Sequence, residues 1–152
     1  MGFEGSTTPA AFAEALRFAA LYLGLLVALG IGLSVPVMLR RRAARVGVGD
    51  GGDDILLRRI RIHGNFVEQA ALIAPLLALA PFAGAPSLVI HLIGGSMLLG
   101  RVLHAQGLAA GPGPTFGRVA GMALSWTSLS LAAVAVPLYA FVTGTAFSLI
   151  AR

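Results

Sequence analysis

Cysteine is absent, so the chain has no disulfide, no thiolate metal site and no cysteine nucleophile. Thiol chemistry here would need a thiol carried by a substrate. Lysine is absent too, and all 11 basic residues are arginine. Charge of either sign is scarce: 11% of residues are charged, against roughly 25% in soluble domains. With 57% of residues hydrophobic, this excludes an ordinary soluble domain and points to a membrane protein. The net charge is +5, yet Arg40, Arg41, Arg42, Arg45, Arg58, Arg59 and Arg61 lie close together in sequence. Arginines gathered beside apolar runs mark a membrane border, not a nucleic-acid surface. Positive charge, which a cleavable signal needs near its start, is missing there; Glu4 and Glu14 stand instead. The first apolar run, Phe18 to Leu39, therefore reads as a retained transmembrane helix.

What is present organises into four apolar helices. The first runs from about Ala10 to Leu39, after the lead Ser6-Thr-Thr-Pro9. Gly47 to Asp54 reads as a flexible loop in which Asp53 or Asp54 caps the next helix. That second helix runs from about Asp54 to Phe82, its first third polar. Ala83 to Pro86 is a turn, and the third helix runs from about Pro86 to Gln106. Gly107 to Pro114 is rich in Gly and Pro and reads as a loop. The fourth helix runs from about Phe116 to Thr143 or beyond. The fold expected is all-α: a four-transmembrane-helix bundle, one domain over residues 1–152. Arginine marks the loops after helices 1 and 3, so both are expected on the cytoplasmic side and both termini on the other. The polar third of helix 2 then meets the Arg101/His104 end of helix 3.

The densest polar cluster is Arg58 to Glu68. On a helix, Arg58, Arg61, Asn65 and Glu68 share one face. Charge carried towards a bilayer is costly and usually faces a bundle interior or a wet cavity. Glu68 has no arginine three or four residues away, so it needs a cation from another helix, and Arg101 is the expected partner. A structural salt bridge and a ligand site are both open readings of that pair. Arg40 to Arg45 and Arg59 read as anchors to anionic headgroups. His63 lies roughly opposite Asn65, facing headgroups or a neighbouring subunit. His91 and His104 are too far apart along one helix to share a metal, and His91 reads as an interhelical hydrogen bond. No metal site is expected.

Arg61-Ile-His-Gly-Asn-Phe-Val-Glu68, together with Gly100-Arg-Val-Leu-His-Ala-Gln-Gly107, resembles MAPEG, the membrane-associated proteins in eicosanoid and glutathione metabolism, in a bacterial branch. The resemblance covers nearly the whole chain. It implies a homotrimer of four-helix bundles in the bacterial inner membrane, with glutathione held between subunits, conjugating or reducing lipophilic electrophiles and peroxides. It implies glutathione contacts from Arg61, His63, Asn65, Glu68 and Arg101; the guanidinium of Arg58 also suits a carboxylate, and Arg101 or Arg118 is left to activate the thiol. The Arg40/Arg41 pair stands where members carry an arginine pair ending helix 1. Several features depart from the family. Gln69 replaces a tyrosine after the motif glutamate, helix 3 has no tyrosine, and Gln106 replaces the thiol-activating arginine just beyond helix 3. These departures keep open a non-catalytic accessory or lipid-binding subunit of a larger membrane complex.

Overall fold

The computed structural model describes residues 8–111 and 113–143. Four helices follow in order, α1 (Pro9–Ala44), α2 (Asp54–Leu79), α3 (Ser87–Ala110) and α4 (Phe116–Thr143). All four are long and apolar enough to cross a bilayer. The expected all-α four-span bundle is the observed one.

Each start has a local cause. Thr8 accepts the Ala11 amide and Pro9 follows at the first helical position, where its missing N–H is no loss. Asp53 caps α2 by accepting from the Leu56 amide at 2.8 Å. The α1–α2 loop, flexible by its composition, is in fact tied down by Asp53, which also binds the Arg40 guanidinium at 2.7 Å. Arg41 donates to the Gly49 carbonyl at 2.7 Å. These two arginines, expected at lipid headgroups, are engaged by the protein itself. Arg59 is likewise engaged, donating to the Pro36 carbonyl at 3.0 Å.

Two boundaries move. The end of α2 comes three residues early, at Leu79, because Ala80 to Gly84 form a turn closed by Ala85 N–H to Ala80 O at 3.0 Å. Gly84 takes φ 82° there, the left-handed region that suits glycine. The end of α3 comes later than expected: Gly107 to Ala110 continue the helix. A glycine costs a helix about 1 kcal/mol relative to alanine. Here its bare backbone lies against α4, where a side chain would sit 2.7 Å from both the Gly117 carbonyl carbon and Thr115 Oγ1. Close packing outweighs propensity.

The α3–α4 seam is built from such contacts. A Cβ on Gly100 would lie 2.6 Å from Ser125 Oγ, and one on Gly121 would lie 2.6 Å from the Gly100 carbonyl. Small residues let membrane helices approach closely enough for backbone atoms to touch. The Gly117–Gly121 spacing of four residues puts both on one face. Ser128 adds a bond across the same seam, donating to Ile93 O at 2.7 Å. His91 makes the expected interhelical bond, half-buried, 2.9 Å from Tyr22 Oη of α1.

Candidate functional site

Arg101 takes a place the sequence does not indicate. It is 1% exposed, deep between three helices. Its Nε donates to Ser125 Oγ at 2.8 Å, Nη1 to the Asn65 carbonyl at 3.2 Å and Nη2 to the Gly121 carbonyl at 3.4 Å. The guanidinium thus ties α2, α3 and α4 together through neutral oxygens. The expected ion pair with Glu68 does not form. Glu68 is exposed, and the one ion pair among the described residues is Arg40–Asp53. A buried cation needs acceptors on its donors; carbonyls and a hydroxyl brought close by the glycines meet that need without a carboxylate.

By fixing the Asn65 carbonyl against α3, Arg101 sets the polar third of α2 beside the end of α3 and the start of α4. The expectation that these ends meet holds. Between them opens a cavity of about 560 Å³ lined by Asp54, Arg58, Arg61 and Asn65 of α2, His104 and Leu108 of α3, and Arg118 and Met122 of α4, with Gly111 beside them. Three of the predicted residues of α2 are here with Arg118. Asn65 is oriented by donating its Nδ2 to the Arg61 carbonyl at 2.9 Å. Arg118 Nη1 donates to the Gly113 carbonyl at 2.8 Å.

Other predicted residues are elsewhere. Arg101 is not in the lining, since it is packed inside the bundle. Glu68 is not in it either. It stands seven residues beyond Arg61, about 20° from it around the helix but roughly 10 Å further along the axis. The shared face runs past the end of the cavity before reaching it. His63, on the far side of α2, lines a separate groove of about 530 Å³ with Ser34, Met38, Arg41, Arg42 and Arg45 of the α1 end.

Sequence reasoning misses two cavity residues. Asp54 supplies the carboxylate that Glu68 does not. The sequence leaves either aspartate as the cap; Asp53 takes that role, and Asp54 lines the cavity from the first turn. His104 is 6% exposed and its Nδ1 lies 3.1 Å from the Arg118 carbonyl. Its spacing of three from Arg101 is the available signal, for it places both on one side of α3.

A second cavity, about 580 Å³, adjoins the first. It is lined by His104, Arg118 and Met122 again, then by Pro114, Val119, Ala123 and Trp126. One side of His104 and Arg118 is therefore polar and the other apolar, an arrangement that can hold an ionic molecule beside a lipophilic one.

The MAPEG family model matches residues 19–138. Inner membrane protein YecN from two Escherichia coli strains is 35% identical over 117 residues, which cover 76% of this chain and 87% of the relative. The chain belongs to the MAPEG family. With its four spans and its bacterial inner-membrane relatives, this MAPEG protein is an inner-membrane protein. No solved structure matches it significantly.

Proposed function

We propose that this MAPEG protein binds glutathione and, as a glutathione transferase or peroxidase, presents its thiol to lipophilic electrophiles. The observation that carries the reading is the convergence of Arg58, Arg61 and Arg118 on one cavity with Asn65 and Asp54. Glutathione has two carboxylates, which guanidinium forks suit, and an α-ammonium, which Asp54 suits. A cation beside the thiol favours its ionised, nucleophilic form; Arg118 is that cation, because it lines the cavity while Arg101 is packed inside the bundle. The adjoining apolar cavity around Val119 and Trp126 accommodates the lipophilic partner.

In this reading the protein works as a homotrimer. Glu68 is an exposed carboxylate on a membrane helix with no ion-pair partner in the chain among the described residues. Facing lipid it would be costly; facing a neighbouring copy or a guest between copies it is not. The groove of His63, Arg41 and Arg42 supplies the neighbour's wall.

The test is calorimetric glutathione titration of purified protein, with Arg61→Ala and Arg58→Ala. Saturable binding that weakens about ten- to a hundredfold in Arg61→Ala is expected, the worth of a charge-assisted hydrogen bond of about 1.5–3 kcal/mol. No saturable binding, or binding indifferent to both changes, overturns the reading. One observation favours a second reading, a non-catalytic accessory or lipid-binding subunit of a larger membrane complex. The interior engagement of Arg101 removes one of the two cations available for thiol activation. That reading predicts binding without a thiolate signal, and a co-purifying partner or lipid.

A further inference from the structure

The proposed chemistry requires a proton acceptor as well as a cation. A thiol ionises only if its proton goes somewhere, and an arginine does not take it. Three residues border both cavities, His104, Arg118 and Met122. Arginine is always protonated and methionine has no proton chemistry. Histidine alone of the three has a side chain that can both take up and release a proton.

The fold also fixes the form of the ring. A carbonyl oxygen only accepts, so at 3.1 Å from the Arg118 carbonyl the His104 Nδ1 is the donor. The neutral ring then keeps its lone pair on Nε2. With 6% of the residue exposed, the ring cannot turn freely to water. The backbone that holds the tautomer is that of Arg118 itself, so acceptor and thiolate-stabilising cation are positioned as one unit.

We propose that His104 is the proton acceptor for the thiol, an inference that rests on the glutathione reading above. Nε2 takes the thiol proton as the S–H bond breaks, leaving a thiolate beside Arg118 and an imidazolium. The thiolate sulfur then forms a bond to an electrophilic carbon. In conjugate addition the electron pair of the alkene moves to the adjacent carbon, which receives the proton from Nε2–H; in substitution on an aryl chloride the C–Cl bond breaks, chloride leaves and Nε2–H gives its proton to water. Either way the ring returns to neutral. No oxidant or further reactant is needed. The charged groups around the ring are Arg101 on its own helix, Arg118 on α4, and Arg58, Arg61 and Asp54 on α2.

His104→Asn separates this role from a structural one. The asparagine amide stands near the position of Nδ1 and can still donate to the Arg118 carbonyl, but nothing replaces Nε2. In detergent-purified protein, glutathione affinity is expected to stay within about threefold. The ultraviolet thiolate absorbance of bound glutathione at pH 7 should fall, and conjugation of a chlorodinitrobenzene probe should drop about 10²–10⁴-fold, the range for general acid–base catalysis. The rate should recover as pH rises and solvent ionises the thiol. Full thiolate signal and rate in His104→Asn, with binding intact, overturn the role of His104 and leave the glutathione reading standing. A wild-type protein that binds no glutathione overturns both. Should the asparagine variant fail to fold, His104→Gln takes its place in the same assays: a lost thiolate signal with binding intact supports the role, and a full signal overturns it.

Discussion

At the scale of single residues, function here depends on which charged groups are already engaged. Arg40 and Arg41 hold the α1–α2 loop, Arg59 holds Pro36 and Arg101 holds three helices. Arg58, Arg61 and Arg118 reach the cavity, Arg118 while also donating to the Gly113 carbonyl. Helical period places Arg58, Arg61 and Asn65 on one face, and the structure agrees. Period does not distinguish Arg101 from these, because engagement depends on oxygens supplied by residues 20–36 positions away. Asp53 makes a testable case. Its hydrogen bonds from the Arg40 guanidinium and then from the Leu56 amide hold its carboxyl below the ordinary value of 3.8. A depressed carboxylate stabilises the fold above its unfolded pKa, and that contribution is lost as pH falls through the lower folded value. Asp53→Ala should therefore lower the melting temperature at pH 7. The gap to wild type should narrow as pH falls below about 4. Melting curves across that range check both expectations; a gap that stays constant well below that pH contradicts the linkage.

At the scale of elements, the α3–α4 seam decides the site, because it sets His104 against the Arg118 backbone. The seam is only half legible in the sequence. Gly107 reads as a loop residue, and Gly121 gives no signal of its own. Local propensity counts glycine as a breaker; only a facing backbone shows it as a contact. Gly121→Ala tests this. Alanine improves helix propensity by about 1 kcal/mol, yet its Cβ would lie 2.6 Å from the Gly100 carbonyl, a backbone atom that cannot turn aside. Overpacking of this kind typically costs about 1–3 kcal/mol. A lowered melting temperature with weaker glutathione binding is expected. Unchanged or raised stability would show that the seam has room to give.

At the scale of the whole molecule, the outer faces carry the argument for assembly. Ala20, Gly24, Ala28 and Gly32 recur at intervals of four along α1, and all are exposed. A Cβ on Gly24 or Gly32 would meet nothing within 4 Å. Leucine at both positions should therefore leave the packing within one chain intact while obstructing close approach by a second helix. Native mass measurement in detergent is expected to give three copies for wild type and smaller species for Gly24→Leu/Gly32→Leu. A wild-type monomer, or a double variant that still gives three copies, argues against this face as the contact.

The sequence alone determined four membrane spans, the meeting of the polar ends, the family and three of the four α2 residues expected to share a face. The spans and the shared face follow from hydropathy and from the 3.6-residue period, and the family from the Arg61–Glu68 and Gly100–Gly107 motifs, all local properties of the chain. Tertiary structure decided that Arg101 is a tie between helices, that Glu68 lies beyond the end of the cavity, and that Asp54 and His104 line it. The physical reason is that a guanidinium or carboxylate settles where acceptors or donors lie in space. Here those partners come from backbones that meet only when glycines let α3 and α4 close.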